Sequence, residues 1–138
     1  MAEFVLKAQV EKLGLGNQFL ISSSATSSEE LGSPVHPGTR RILARHGIST
    51  QGKYAVKFKK EDYDAYDYII GMDSMNITNI IRIAGGDKSG KVSQLLDFTN
   101  RPGPIADPWY TGDFEATYRD VSAGCEGFLK TVLRKDSF

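Results

Sequence analysis

The residues best equipped for proton chemistry gather in the stretch DPWYTGDF, residues 107–114, where Asp107 precedes Pro108 and Trp109 and Tyr110 follow. Proline biases the residue before it toward extended backbone, so the chain itself sets the direction of the Asp107 carboxyl. Beside an indole and a phenol ring a carboxyl would lose hydration, which raises its affinity for its proton. A general acid needs that property. The same residues also make an ordinary turn, with Asp107 bonded to nearby main chain and the aromatics covering the core. The residues alone leave both readings open.

Other candidates carry less. Cys125 is the single cysteine. It falls with Val121, Phe128 and Val132 at helical spacing on one apolar stripe, where a free cysteine packs as a small hydrophobe. A Cys-x5-Arg phosphate loop would need arginine six residues on, and that residue is Thr131. The stretch GGDKSGKV, residues 85–92, approaches a phosphate-cradling loop through Gly85, Gly90 and Lys91. Val92 stands where the magnesium-binding hydroxyl belongs, and the flanking patterns run helix to strand rather than strand to helix. It reads as a turn. His36 and His46 have no partner at a metal-ligand spacing. Glu61, Asp62, Asp64 and Asp67 lack the glycine and terminal glutamate of a calcium loop and read as the acidic start of a helix.

The chain has 138 residues, 40% hydrophobic and 25% charged, with 17 basic residues balancing 17 acidic ones. That describes one globular domain over residues 1–138, without the basic field that nucleic acid or an anionic membrane would attract. One cysteine fits a reducing compartment, and the cytoplasm is the expected location.

Helical and strand patterns alternate along the chain. Residues 1–13, 36–47, 74–84 and 114–134 predict helices, with a helical turn or two over KKEDYDAY. Phe19–Ser22, YAVKF, YDYIIGM and KVSQLL predict short strands. Strand and helix in turn imply a parallel sheet, with ligands beyond the strands' carboxyl ends. The loops after Ile21, Met72 and Leu96 would then share a face, and the last of them carries Asp107.

Three stretches, SPVHPGTRRILARHGIS, KKEDYDAYDYIIGMDSMN and DPWYTGDFEATY, together resemble the low molecular weight protein tyrosine phosphatases, in that family's order and over essentially the whole chain. The resemblance implies an α/β fold of three layers, α/β/α, with a four-stranded parallel sheet. It also implies hydrolysis of phosphotyrosine protein or a small phosphomonoester through a cysteinyl-phosphate, with no cofactor. It makes Asp107 the acid that protonates the leaving oxygen and makes Trp109 and Tyr110 the wall against the phosphotyrosine ring. Ser23 and Asp73 fall where the family supports its active-site loop.

The departure from the pattern is large. In the family the nucleophile and arginine lie in Cys-x5-Arg-Ser between the first, central strand and the first helix. Here MAEFVLK already belongs to that helix. The resemblance therefore implies a family member without its N-terminal strand and phosphate loop, and an inactive chain as written. Glu29 and Ala55–Val56–Lys57 also differ from residues frequent in the family, which bears on substrate preference. The alternative function is a non-catalytic pseudo-phosphatase or binding module. Arsenate reduction on the same fold would need more cysteines than Cys125.

Overall fold

The computed structural model describes residues 1–26, 35–50, 52 and 56–135, apart from the side chains of Trp109, Tyr110 and Lys135. Glu29 and Ala55 lie outside the described residues.

Among the described residues, six α-helices and two strands follow in the order α1 (Ala2–Lys12), α2 (Pro37–Arg45), α3 (Lys60–Ala65), β1 (Ile69–Gly71), α4 (Ser74–Ala84), β2 (Val92–Gln94), α5 (Pro108–Thr111) and α6 (Phe114–Lys135). Local chemistry sets their ends. His36 Nδ1 accepts the Gly38 N–H at 3.1 Å ahead of α2, whose first position is Pro37. The Asp73 carboxylate accepts the Asn76 N–H at 2.8 Å and starts α4, which stops at Gly85 in the left-handed region, φ 80°. Asp113 accepts the Ala116 N–H at 3.0 Å at the start of α6.

The main core forms where α6 lays one stripe across the molecule. Val121, Cys125, Phe128 and Val132 are buried together with Val5 and Val10 of α1 and Ile42 and Leu43 of α2. Two glycines on α6 permit its closest approach. A Cβ on Gly124 would overlap Leu95, and one on Gly127 would overlap the Phe98 carbonyl oxygen. Phe98 and Tyr68 meet the Phe128 ring edge-on at 5.2 and 5.1 Å. A smaller cluster of Phe58, Tyr63, Ile69 and Ile80 fills the other side of the sheet.

The sheet is where expectation and structure part. Among the described residues it has two parallel strands, with Ile69 opposite Val92 and Gly71 opposite Gln94, rather than four. Phe19–Ser22 forms no strand, because among the described residues no neighbour pairs with it. Of YAVKF, Lys57 makes one isolated parallel bridge to Ala25, and Tyr54 and Ala55 lie outside the described residues. The strand expected over KVSQLL ends at Gln94. Leu95–Phe98 turns into a 3-10 helix because the Asp97 carboxylate accepts the Gln94 N–H at 3.0 Å.

GGDKSGKV is a turn, as its flanks predict, and Asp87 closes it. Its carboxylate accepts hydrogen bonds from the Tyr63 hydroxyl at 2.7 Å and from the Lys91 and Val92 N–H groups at 2.8 and 3.3 Å. The Tyr63 bond, ahead of the opposing effect of burial and with help from the backbone donors, holds the carboxyl below its ordinary 3.8. A lowered folded value stabilises the fold above the unfolded value, and that stability is lost as pH falls through the folded one. Asp87→Asn is expected to cost about 1–2 kcal/mol at neutral pH. Melting temperatures measured against pH should also decline less steeply for the variant below about pH 4; parallel declines would remove this role.

Candidate active site

A cavity of about 1570 Å³ opens between the extended segment 19–24 and the outer edge of β1. Its lining includes the apolar Val121, Cys125 and Phe128 of α6 and the polar Glu3, Ser23, Asp73 and Asp107. Residues from the three loops expected to share one face all line this cavity. Asp73 follows β1, Ser23 lies in the extended segment, and Asp107 opens α5.

Glu3 is buried on the first turn of α1. Its carboxylate accepts the Ser23 hydroxyl at 2.7 Å through Oε1 and the Lys7 ammonium at 2.7 Å through Oε2. Ser22 Oγ lies 2.6 Å from the Tyr66 hydroxyl. These bonds dock the extended segment against α1 on one side and against the end of α3 on the other. Nothing in the sequence pointed to them, since the partners are 20 and 44 residues apart.

Asp107 is placed by main-chain bonds on both flanks. The Ile105 N–H donates to the Met72 carbonyl at 2.8 Å, which ties the approach of the loop to the end of β1. The Thr117 hydroxyl donates to the Ala106 carbonyl at 3.1 Å from the first turns of α6. Between these ties DPWY forms a helical turn, with the Thr111 N–H donating to the Asp107 carbonyl at 3.3 Å. Asp107 is exposed in this structure, so the burial expected beside the aromatics is not present. The ring positions of Trp109 and Tyr110 lie outside what is described.

The remaining candidates have structural roles instead. Cys125 is 1% exposed, and burial pushes its thiol up to about 12. It packs as a core residue, with no thiolate to offer. His36 caps α2 and stacks on Phe114 at 5.4 Å, and His46 stacks on Tyr118 at 3.9 Å. Glu61 and Asp62 occupy the first turn of α3, where Asp62 accepts the Lys59 N–H at 2.9 Å. No group of three His, Cys, Asp or Glu side chains among the described residues is arranged to hold a metal. No described helix is long and apolar enough to cross a membrane.

The chain is 34% identical over 137 residues to the low molecular weight protein-tyrosine-phosphatase YfkJ of Bacillus subtilis, covering 98% of this chain and 88% of that one. The YfkJ crystal structure superposes with a TM-score of 0.93 over 97% of this chain and 86% of that chain. The Streptococcus pyogenes low molecular weight protein tyrosine phosphatase superposes with a TM-score of 0.83 at 37% identity, covering 94% of this chain and 81% of that one. The family model for low molecular weight phosphotyrosine protein phosphatases matches residues 1–137, and the chain belongs to that family.

Proposed function

We propose that this protein works as a tyrosine phosphatase domain, on phosphotyrosine protein or a small phosphomonoester, with Asp107 as its general acid. The observation that carries this reading is that Asp107, Ser23 and Asp73 all line one cavity. Trp109 and Tyr110, on the turn that Asp107 begins, form the wall for the phosphotyrosine ring.

In the reaction a cysteine thiolate attacks phosphorus and the bond from phosphorus to the phenolic oxygen breaks. Asp107 gives its proton to that oxygen. The Asp107 carboxylate then takes a proton from water, which attacks the phosphocysteine and releases inorganic phosphate and the thiolate. The 138 residues contain no Cys-x5-Arg, so nucleophile and arginine come from residues outside them. These residues supply the acid and the wall, and by themselves they are inactive.

The 138-residue chain purified alone is expected to leave p-nitrophenyl phosphate unhydrolysed at mildly acid pH. A chimera that places the family's first strand and Cys-x5-Arg-Ser loop ahead of Ala2 is expected to hydrolyse it. Turnover by the unextended chain that survives Cys125→Ser would overturn the reading. An inactive, folded chimera would favour the non-catalytic binding module instead.

A further inference from the structure

Apart from the large cleft between residues 19–24 and β1, a second cavity of about 290 Å³ lies between α2 and residues 112–115. We propose that this second cavity accepts an acidic side chain of a peptide, one that carries glutamate or aspartate a few residues from the phosphotyrosine. The phosphotyrosine belongs to the phosphatase reading, on which that part rests; the carboxylate acceptor stands on its own residues. Local packing builds the cavity. Ile42 is buried, and the Phe114 ring sits against Gly38, where a Cβ would overlap it. Arg41 and Arg45 also line the cavity. They are exposed and four residues apart on α2, which makes them neighbours on one helix face.

Charge names the occupant. The α2 sequence, PGTRRILAR, has no acidic residue, and neither Arg41 nor Arg45 makes an ion pair among the described residues. Two acids share the lining, and both have partners elsewhere. The Asp113 carboxylate accepts the Ala116 N–H at 3.0 Å, and Glu115 lies 3.9 Å from His46 Nε2. Adjacent guanidinium forks take a carboxylate bidentately. With Asp113 and Glu115 nearby, a singly charged carboxylate is repelled less than a phosphate dianion. The volume lies at the lower edge of the roughly 300–1,000 Å³ of a small-molecule pocket. It suits one side chain, whose methylenes would lie against Ile42 and Phe114.

Position ties the cavity to the acid loop. Gly112, in its lining, ends the turn that Asp107 begins, and the Gly112 N–H donates to the Pro108 carbonyl at 2.8 Å. One helical turn, about 5.4 Å of rise, therefore separates the cavity from the head of α5. An extended peptide advances about 3.3 Å per residue. A peptide whose phosphotyrosine ring rests beside Trp109 and Tyr110 would thus bring a side chain roughly two to four residues away to Arg41 and Arg45.

The test titrates the 138-residue chain, labelled for amide NMR, with the peptide Gly-Tyr-Glu-Glu-Glu-Glu-Gly and with a control that has glutamine for every glutamate. The glutamate peptide is expected to shift the amides of Arg41, Arg45, Gly112 and Phe114. Its affinity should fall about threefold or more when salt is raised from about 20 to about 200 mM. The double variant Arg41→Gln, Arg45→Gln should weaken it about fivefold; glutamine matches arginine in helix propensity, so α2 keeps its fold. Equal shifts with the glutamine peptide, an unchanged affinity in the double variant, or the same shifts from inorganic phosphate at equal concentration would each overturn the proposal. A second arm uses the chimera that carries the Cys-x5-Arg-Ser loop. KM for the phosphotyrosyl glutamate peptide is expected to be about fivefold below that of its glutamine counterpart, a gap that the double variant closes. Equal KM values in an active chimera would overturn the proposal. An inactive chimera whose amides still answer to the glutamate peptide supports the acceptor and removes the phosphatase reading.

Discussion

Asp107→Asn, made in the chimera that carries the Cys-x5-Arg-Ser loop, is expected to lower kcat for phenyl phosphate by about 10²–10⁴, the usual share of a general acid. Asparagine keeps the shape of the side chain and removes only its proton chemistry. Phenolate is a poor leaving group and needs the proton as the bond breaks. p-Nitrophenolate leaves without much help, so the loss for its ester should be far smaller. Equal losses on both esters would remove Asp107 from the acid role and leave it as a turn residue. Asp73→Asn is the informative comparison, because Asp73 already spends its carboxylate on the Asn76 N–H at the start of α4. Its effect should appear as about 1 kcal/mol of stability, with no dependence on the leaving group.

Leu43→Ala is expected to be the most damaging single truncation in the core, at about 2–5 kcal/mol in urea denaturation. A domain of this size has only about 5–15 kcal/mol to lose. Leu43 is 0% exposed and lies away from the cleft, so its removal leaves a void where every neighbour was in contact. Val132 is also buried but lines the cleft, where its outer side already lacks close partners. Val132→Ala should therefore cost about 1–2 kcal/mol, at the low end for such truncations. A Leu43→Ala cost under about 1 kcal/mol would mean that the region around α2 is loosely packed.

What the sequence revealed follows from how each element is determined. Two helices were legible from local signals, α2 from Pro37 and Gly47 at its ends and α6 from the Val121–Val132 stripe, whereas the short α5 was not expected. Cys125 was legible for the same reason, since its place on that stripe fixes its burial. The strands were less so. Phe19–Ser22 has a strand's composition, yet a strand exists only where another strand pairs with it, and pairing is a long-range property. KVSQLL was cut short by a single side chain, Asp97, acting on the Gln94 N–H. At the site, Pro108 and the resemblance that DPWY carries singled out Asp107, which lines the cavity. Its exposure was not legible, because burial depends on how the folded chain packs around the turn and not on the neighbouring residue types. The Glu3–Ser23 and Ser22–Tyr66 bonds had no sequence signal at all.

The two ties that hold the approach to Asp107, from Ile105 to Met72 and from Thr117 to Ala106, both end on main-chain carbonyls. One is made by a backbone N–H and the other by a hydroxyl on α6, so neither uses a side chain of the segment Pro108–Gly112. The anchoring of the loop and its chemical character are thus written in different residues. Substitutions within Pro108–Gly112 therefore leave both of these ties in place, and the approach to the loop is fastened from outside it.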